Sequence, residues 1–532
     1  MRNLSESCSF LRARGKARLN SPLGTFDAIT KTINIDYYNL ENVAKNMDSC
    51  LSYYTYYHEQ MHHYQYTAST LGLFYTYLMD VEYERISLLV DELDFTPPLL
   101  SCVEKQNIEW NEKLHPLREK LGFKNKYTEP LDYLQILLDE ISDIELFLFI
   151  LEGGFSLEKL EKITRNRPIR TDLICEMYYF ISYYYDLTGK KLGAFYDDAI
   201  KETRNGKQIS DKNNPIILMP LPNGLTFGYY AVLESHARYC ELTRVLSDMG
   251  KYHKPEILVR VKKELTKQDD YQTAYNLFAS MVIHIPKELT PLSVFLFCLV
   301  CDYTIHIPVP QTPGLKDSLL VMSDFNLMMP APRFVSICCA VDRAVKADTV
   351  IKLNDLKYGK NQLLERKTLD EWNRLIYFLY DIISKDTGYP SPIRIAKAFL
   401  ENDDAFNEKN MSHFPFEYDN AVFWEACKTR IEYPLFFINP ELFRLIDRKK
   451  YIEISNAQGA PAMQLQKELI FYERKGQWIG QGYLLKRVLS HYLSALFFGY
   501  EQDMDLEKYF GVSMQDVENA VYNKYGKVKR FW

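Results

Sequence analysis

Three histidines and a glutamate fall within six residues, in the stretch "YYTYYHEQMHHYQYTAST" from Tyr53 to Thr70. The whole chain holds only 10 histidines, so this grouping asks for an explanation. His58 and His62 are four residues apart, and on a helix their imidazoles leave one face a single turn from each other. That separation lets two ring nitrogens reach one ion at about 2.0–2.1 Å, the distance that zinc requires. Glu59 lies about 100° round the helix, beside such a pair and outside it. A carboxylate there can act as general base on a zinc-bound water. Gln65, seven residues after His58, returns to the ligand face, where it could hydrogen-bond a ligand or the substrate. His63 points away from His58 and reads as a packing or surface residue.

A catalytic zinc takes three protein ligands and keeps one position open. No histidine follows His62 at a spacing that continues the pattern, so the third ligand should be a carboxylate from elsewhere in the chain. Glu82 or Glu84, in "LMDVEYERIS", is one source, though a charged run late in a helix is commonly a solvated face. Glu234, in "GYYAVLESHARYCE", is the other. Its small neighbours Ser235 and Ala237 would let that helix come close to the histidine helix. The plain alternative for Glu234 is a helical ion pair with Arg238 at i,i+4.

His58-Glu59-Gln60-Met61-His62 is the His-Glu-x-x-His motif, and the chain resembles the zincin metallopeptidases. In particular "HEQMHHYQYTASTLG" resembles the HExxHxxQ pattern of gluzincin-like bacterial and phage-type proteins. A later Glu-small-x-Ala helix matches Glu234-Ser235-His236-Ala237. The resemblance implies one zinc per chain held by His58, His62 and Glu234, with Glu59 as base and a peptide or protein as substrate, cut as an endopeptidase would. It also implies a donor for the oxyanion, for which Tyr229, Tyr230, Tyr303 and His306 are candidates. The 172 residues from His62 to Glu234 imply a helical insertion, about 90–215.

These residues must be positioned by a scaffold that is mainly α. Apolar residues recur at three- and four-residue intervals over about Leu40–Leu89, Pro130–Leu151, Ile169–Tyr185, Tyr229–Asp248, Asp270–His284, Leu292–Ile305, Phe334–Lys346, Leu369–Ser384, Glu417–Ile431 and Tyr483–Phe498. Small β elements are expected in "TFDAITKTINIDYY", in "IILMPLPNGLTFG" with its Asn223-Gly224 turn, and in "YIEIS" and "ELIFYERKGQW". The fold class is thus α+β, a zincin-like core with a helical C-terminal region. Proline-rich "IHIPVPQTPG" suggests a boundary, giving a catalytic domain over 1–310 and a helical accessory domain over 311–532 that could meet a partner protein.

The remaining features exclude more than they add. A balance of 64 basic against 70 acidic residues is too mild to draw nucleic acid. "PLSVFLFCLVCDYTIHI" is interrupted by Asp302 after about a dozen apolar residues, a buried helix and not a membrane span. The ten cysteines sit in apolar contexts without a pairing framework, which suits reduced thiols and a cytoplasmic location. Cys298-Leu-Val-Cys301 has no second pair and reads as packing.

Two other readings compete. Glu59-x-x-His62 with Glu112-x-x-His115 could form a di-iron carboxylate bundle, although Pro116 disrupts the helix this needs and His58 goes unused. Alternatively the chain is a non-catalytic helical interaction protein with a structural zinc, and His413 and His491, each standing alone, are structural.

Overall fold

The computed structural model describes residues 24–27, 32–35, 131–164, 218–252, 269–285, 289, 291–307, 328–347, 369–392 and 435–437, and most positions between 58 and 86. The described part is mostly helical. Its helices are α1 (Leu131–Glu152), α2 (Leu157–Thr164), α3 (Tyr229–Tyr252), α4 (Asp269–Met281), α5 (Pro291–Ile305), α6 (Pro330–Lys346) and α7 (Leu369–Thr387). The described residues from 58 to 66 and from 70 to 86 are helical as well. The 58–66 stretch is called the histidine helix below.

Among the described residues strands are few: β1 (Gly24–Asp27) pairs antiparallel with β2 (Thr32–Ile35), and β2 pairs in parallel with β3 (Leu435–Phe437). Between them, residues 218–228 form the short hairpin expected at Asn223-Gly224, with Leu221 N donating to Leu225 O at 2.7 Å and Phe227 N to Met219 O at 2.8 Å. Gly224 donates to Leu221 O at 2.8 Å with φ +80, and bridges join Pro220 to Thr226 and Ser156 to Leu225. The helices expected over 169–185, 417–431 and 483–498, and the strands expected at "YIEIS" and "ELIFYERKGQW", lie outside the described residues, as do His63, Glu84, Glu112, His115, His413 and His491.

The core is a stack of helices centred on α5. Phe295 to Cys301 are fully buried, because this helix is apolar on every side and neighbours meet it all round. It packs on α3 and α6, α3 packs on α4 and α1, and α6 packs on α7. The packing runs across residue 310: Arg333 of α6 is fully buried and donates to the carbonyls of Tyr303, Thr304 and His306 at the end of α5. Those carbonyls have no acceptor role left within their own helix, and the guanidinium supplies the donors they lack. Rings fill the space between α3, α4 and α5. Tyr239 stacks on Tyr275 at 4.4 Å, and Phe297 meets both edge-on.

Close backbone approach fixes where α3 begins. Gly228 sits against the end of α1, where an added Cβ would come within 2.1 Å of Glu152 O. Gly153, at φ +74, meets Gly228 from the other side. Side chains larger than hydrogen do not fit at this crossing. None of the described helices is long and apolar enough to cross a membrane.

Candidate metal centre

The histidine helix and α3 face each other, and three side chains meet in the contact. His58 Nε2 lies 3.1 Å from His62 Nε2, as expected for imidazoles one turn apart. Glu234 Oε2 completes a triangle, 3.3 Å from His58 Nε2 and 3.4 Å from His62 Nε2. A tetrahedral zinc with bonds of about 2.0–2.1 Å has ligand atoms about 3.3–3.4 Å apart. The three atoms therefore already form one face of such a polyhedron. Of the two sources weighed for the acid, Glu234 is in this cluster. Glu82 is buried but is not a member.

Behind each imidazole stands an acceptor, hydrogen-bonded at His62 and a charged neighbour at His58. His62 Nδ1 is 2.8 Å from Gln65 Oε1, and His58 Nδ1 is 3.4 Å from Glu241 Oε2. Gln65 Oε1 accepts, so the neutral His62 ring carries its proton on Nδ1 and turns its Nε2 lone pair to the centre of the triangle, while the Glu241 charge facing His58 Nδ1 favours the same orientation there. Glu241 was not foreseen from the sequence. It stands seven residues after Glu234, so both acids leave the same face of α3 two turns apart. Arg238 pairs with Glu241 at 2.7 Å, which answers the ion pair expected of Glu234. Its guanidinium also lies 4.4 Å over the ring of Tyr271, and Tyr271 stands edge-on to His58 at 5.6 Å. Tyr271, at the start of α4, likewise had no sequence signal beyond its type.

The electrostatics of the cluster favour a cation. Burial alone would push the His58 imidazole down. Hydrogen bonding to Glu234 and Glu241, with the charges of Glu59 and Glu234, outweighs burial and raises it to about 10. Burial would raise Glu234, but the charges of and hydrogen bonds to His62 and His58 hold its carboxyl well below the usual range. Burial pushes the Glu59 carboxyl up, against the two imidazoles. Three carboxylates, Glu59, Glu234 and Glu241, thus surround the histidine pair. His58, Glu59 and His62 are all buried, at 6%, 5% and 8% exposure, and such charges persist only if paired or metal-bound.

The oxyanion candidates make the following contacts. Tyr229 donates to Met328 O at 2.6 Å and Tyr303 to Tyr389 O at 2.7 Å, both within the core. His306 is fully buried with Nδ1 2.7 Å from Asp302 O, and Tyr230 is 55% exposed. A second trio, His236, Cys240 and Cys298, also brings its ligand-type atoms within 4.8 Å of one another. The two sulfurs are 3.8 Å apart.

Comparison with protein-family models, with curated proteins and with solved structures finds no match to this chain.

Proposed function

We propose that the chain is a zinc-dependent hydrolase of peptide bonds. The observation that carries this reading is the triangle of His58 Nε2, His62 Nε2 and Glu234 Oε2, with edges of 3.1, 3.3 and 3.4 Å. Two imidazoles and one carboxylate are the ligand set of thermolysin-type zinc sites, which leave the fourth position open. The bound metal would supply Lewis acidity toward a scissile carbonyl and a water.

The protein's own groups do the rest. Glu59, adjacent to His58 and pushed up by burial, takes a proton from the attacking water and passes it to the leaving amine. Glu234 and the histidines would hold the ion, with Gln65 orienting His62 and the Glu241 carboxylate facing His58. The substrate is a peptide or protein, and the sequence resemblance to gluzincins points the same way.

The test is metal content by mass spectrometry followed by cleavage of a peptide library. One zinc per chain is expected, with turnover lost in Glu59→Gln while the zinc stays. Turnover retained in that variant sinks the mechanism, and iron in place of zinc moves the chain to an oxidative chemistry.

A second reading, a zinc that only stabilises the helices, has one observation in its favour. His58, Glu59 and His62 are all under a tenth exposed. Zinc present with no cleavage of any library member, and a large fall in melting temperature on its removal, would select it.

A further inference from the structure

We infer that Gln65 is a positioning residue that decides which of the two metal-capable trios takes the ion, an inference that rests on the metal site proposed above. Gln65 is 1% exposed, and its amide touches both clusters at once. The amide nitrogen donates to Leu233 O at 3.0 Å. A carbonyl can only accept, so this contact fixes which end of the amide is oxygen and which is nitrogen.

The oxygen then faces His62 Nδ1 at 2.8 Å, and the second amide N–H faces His236 Nδ1 at 3.3 Å. Opposite tautomers follow at the two rings. His62 must donate from Nδ1, which leaves the Nε2 lone pair free for a metal. His236 must accept at Nδ1, so its proton sits on Nε2 and neither nitrogen of the neutral ring is free to ligate. One neutral side chain thus arms the His58–His62–Glu234 trio and disarms the His236–Cys240–Cys298 trio, although their ligand types are equally suited to zinc.

The same contacts also set distance. Leu233 precedes Glu234 in α3, so the Gln65 amide ties the histidine helix to the backbone that carries the acid. Ser69 reinforces the far side, its hydroxyl donating to Gln65 O. Gly72 packs there as well, with room for no Cβ: an added one would stand 2.1 Å from Gln65 O.

Zinc titration of the full chain tests this, with Gln65→Glu, Gln65→Met and Cys298→Ser beside the natural sequence. The natural chain should bind one equivalent, unchanged in Cys298→Ser. Gln65→Met removes the acceptor from His62 and should weaken zinc about 10- to 100-fold. Gln65→Glu keeps an acceptor for His62, as in the carboxylate–histidine–zinc arrangement, and should fall between the two. A role in packing alone reverses that order, because a buried glutamate disturbs packing more than an isosteric methionine. The reversed order, or equal affinity in all three, overturns the inference. So does a second equivalent of zinc that disappears in Cys298→Ser. No zinc in the natural chain overturns the metal site itself, and the inference falls with it.

Discussion

Two buried polar centres lie one helix apart, and they are solved in opposite ways. Around Asp302 on α5, Tyr64 and Tyr380 each donate a hydroxyl to one carboxylate oxygen at 2.5 Å. His306 Nδ1 stands 3.8 Å from the same carboxylate. Every strong donor there points at a waiting acceptor, and the group joins the histidine helix, α5 and α7 into one unit. Around His58 and His62 the polarity is lopsided instead. Three carboxylates crowd two imidazoles, and three ligand-type atoms converge on one point. In the first arrangement the carboxylate is matched by two hydroxyl donors. The second is completed by a positive charge, a proton on His58 or a divalent ion. A buried polar cluster therefore announces function by what its members still require, and not by its polarity alone.

The contrast can be broken from either side. The largest effect is expected at the metal: His62→Ala or Glu234→Ala should lower zinc from one equivalent per chain to none, while Tyr64→Phe keeps it. Zinc retained in Glu234→Ala would transfer the third-ligand role to another residue.

Next comes the satisfied centre. Asp302→Leu strands two tyrosine hydroxyls and should cost about 3 kcal/mol or more in urea unfolding. Zinc per folded chain should not change. A cost below about 1 kcal/mol would show that the hydroxyls find other acceptors.

A smaller effect concerns acidity. His58 is raised to about 10, so at neutral pH it is protonated in the metal-free site and must release that proton to ligate. Calorimetry in buffers of different ionisation enthalpy should report about one proton released per zinc, and affinity should rise about tenfold from pH 7 to pH 8. In the metal-free protein the sign is opposite. The charged His58 stabilises the fold in full below its ordinary pKa of 6.5, and this contribution is lost as pH rises through about 10. Metal-free chains should thus weaken toward high pH over the range in which zinc binds tighter.

The smallest effect is Tyr380→Phe, about 1 kcal/mol, since Tyr64 still serves Asp302.

Much of this was legible before any coordinate. The three- and four-residue periodicity gave α3, α4, α5, α6 and α7 to within a few residues, because each buries a broad face and helical burial imposes that rhythm. The spacing of His58 and His62 reports their shared face directly. Glu234 was readable through its small neighbours: Ser235 and Ala237 are fully buried where α3 meets other helices. What local pattern does not carry has a common cause. Tyr303 sits on α5, which is buried on all sides, and His306 follows its last residue, so no polar face marks which way either side chain turns. Glu241 and Tyr271 act through partners 183 and 213 residues away in sequence, the differences 241 − 58 and 271 − 58, and local pattern carries no trace of such pairs. The two-turn repeat from Glu234 was the one available clue to Glu241.

The glycine crossing at Gly153 and Gly228 has a consequence for how this chain can vary. Glu234 begins less than two turns beyond Gly228, so the clearance between two backbones sets where the acid arrives. A methyl group at residue 228 would lever the start of α3 off α1 and carry Glu234 with it, without altering a single donor or acceptor. Among the positions that shape the cluster, this one contributes no ligand-type atom and no charge. Its tolerance to substitution should nevertheless be as narrow as that of the histidines, because what it supplies is an absence of atoms.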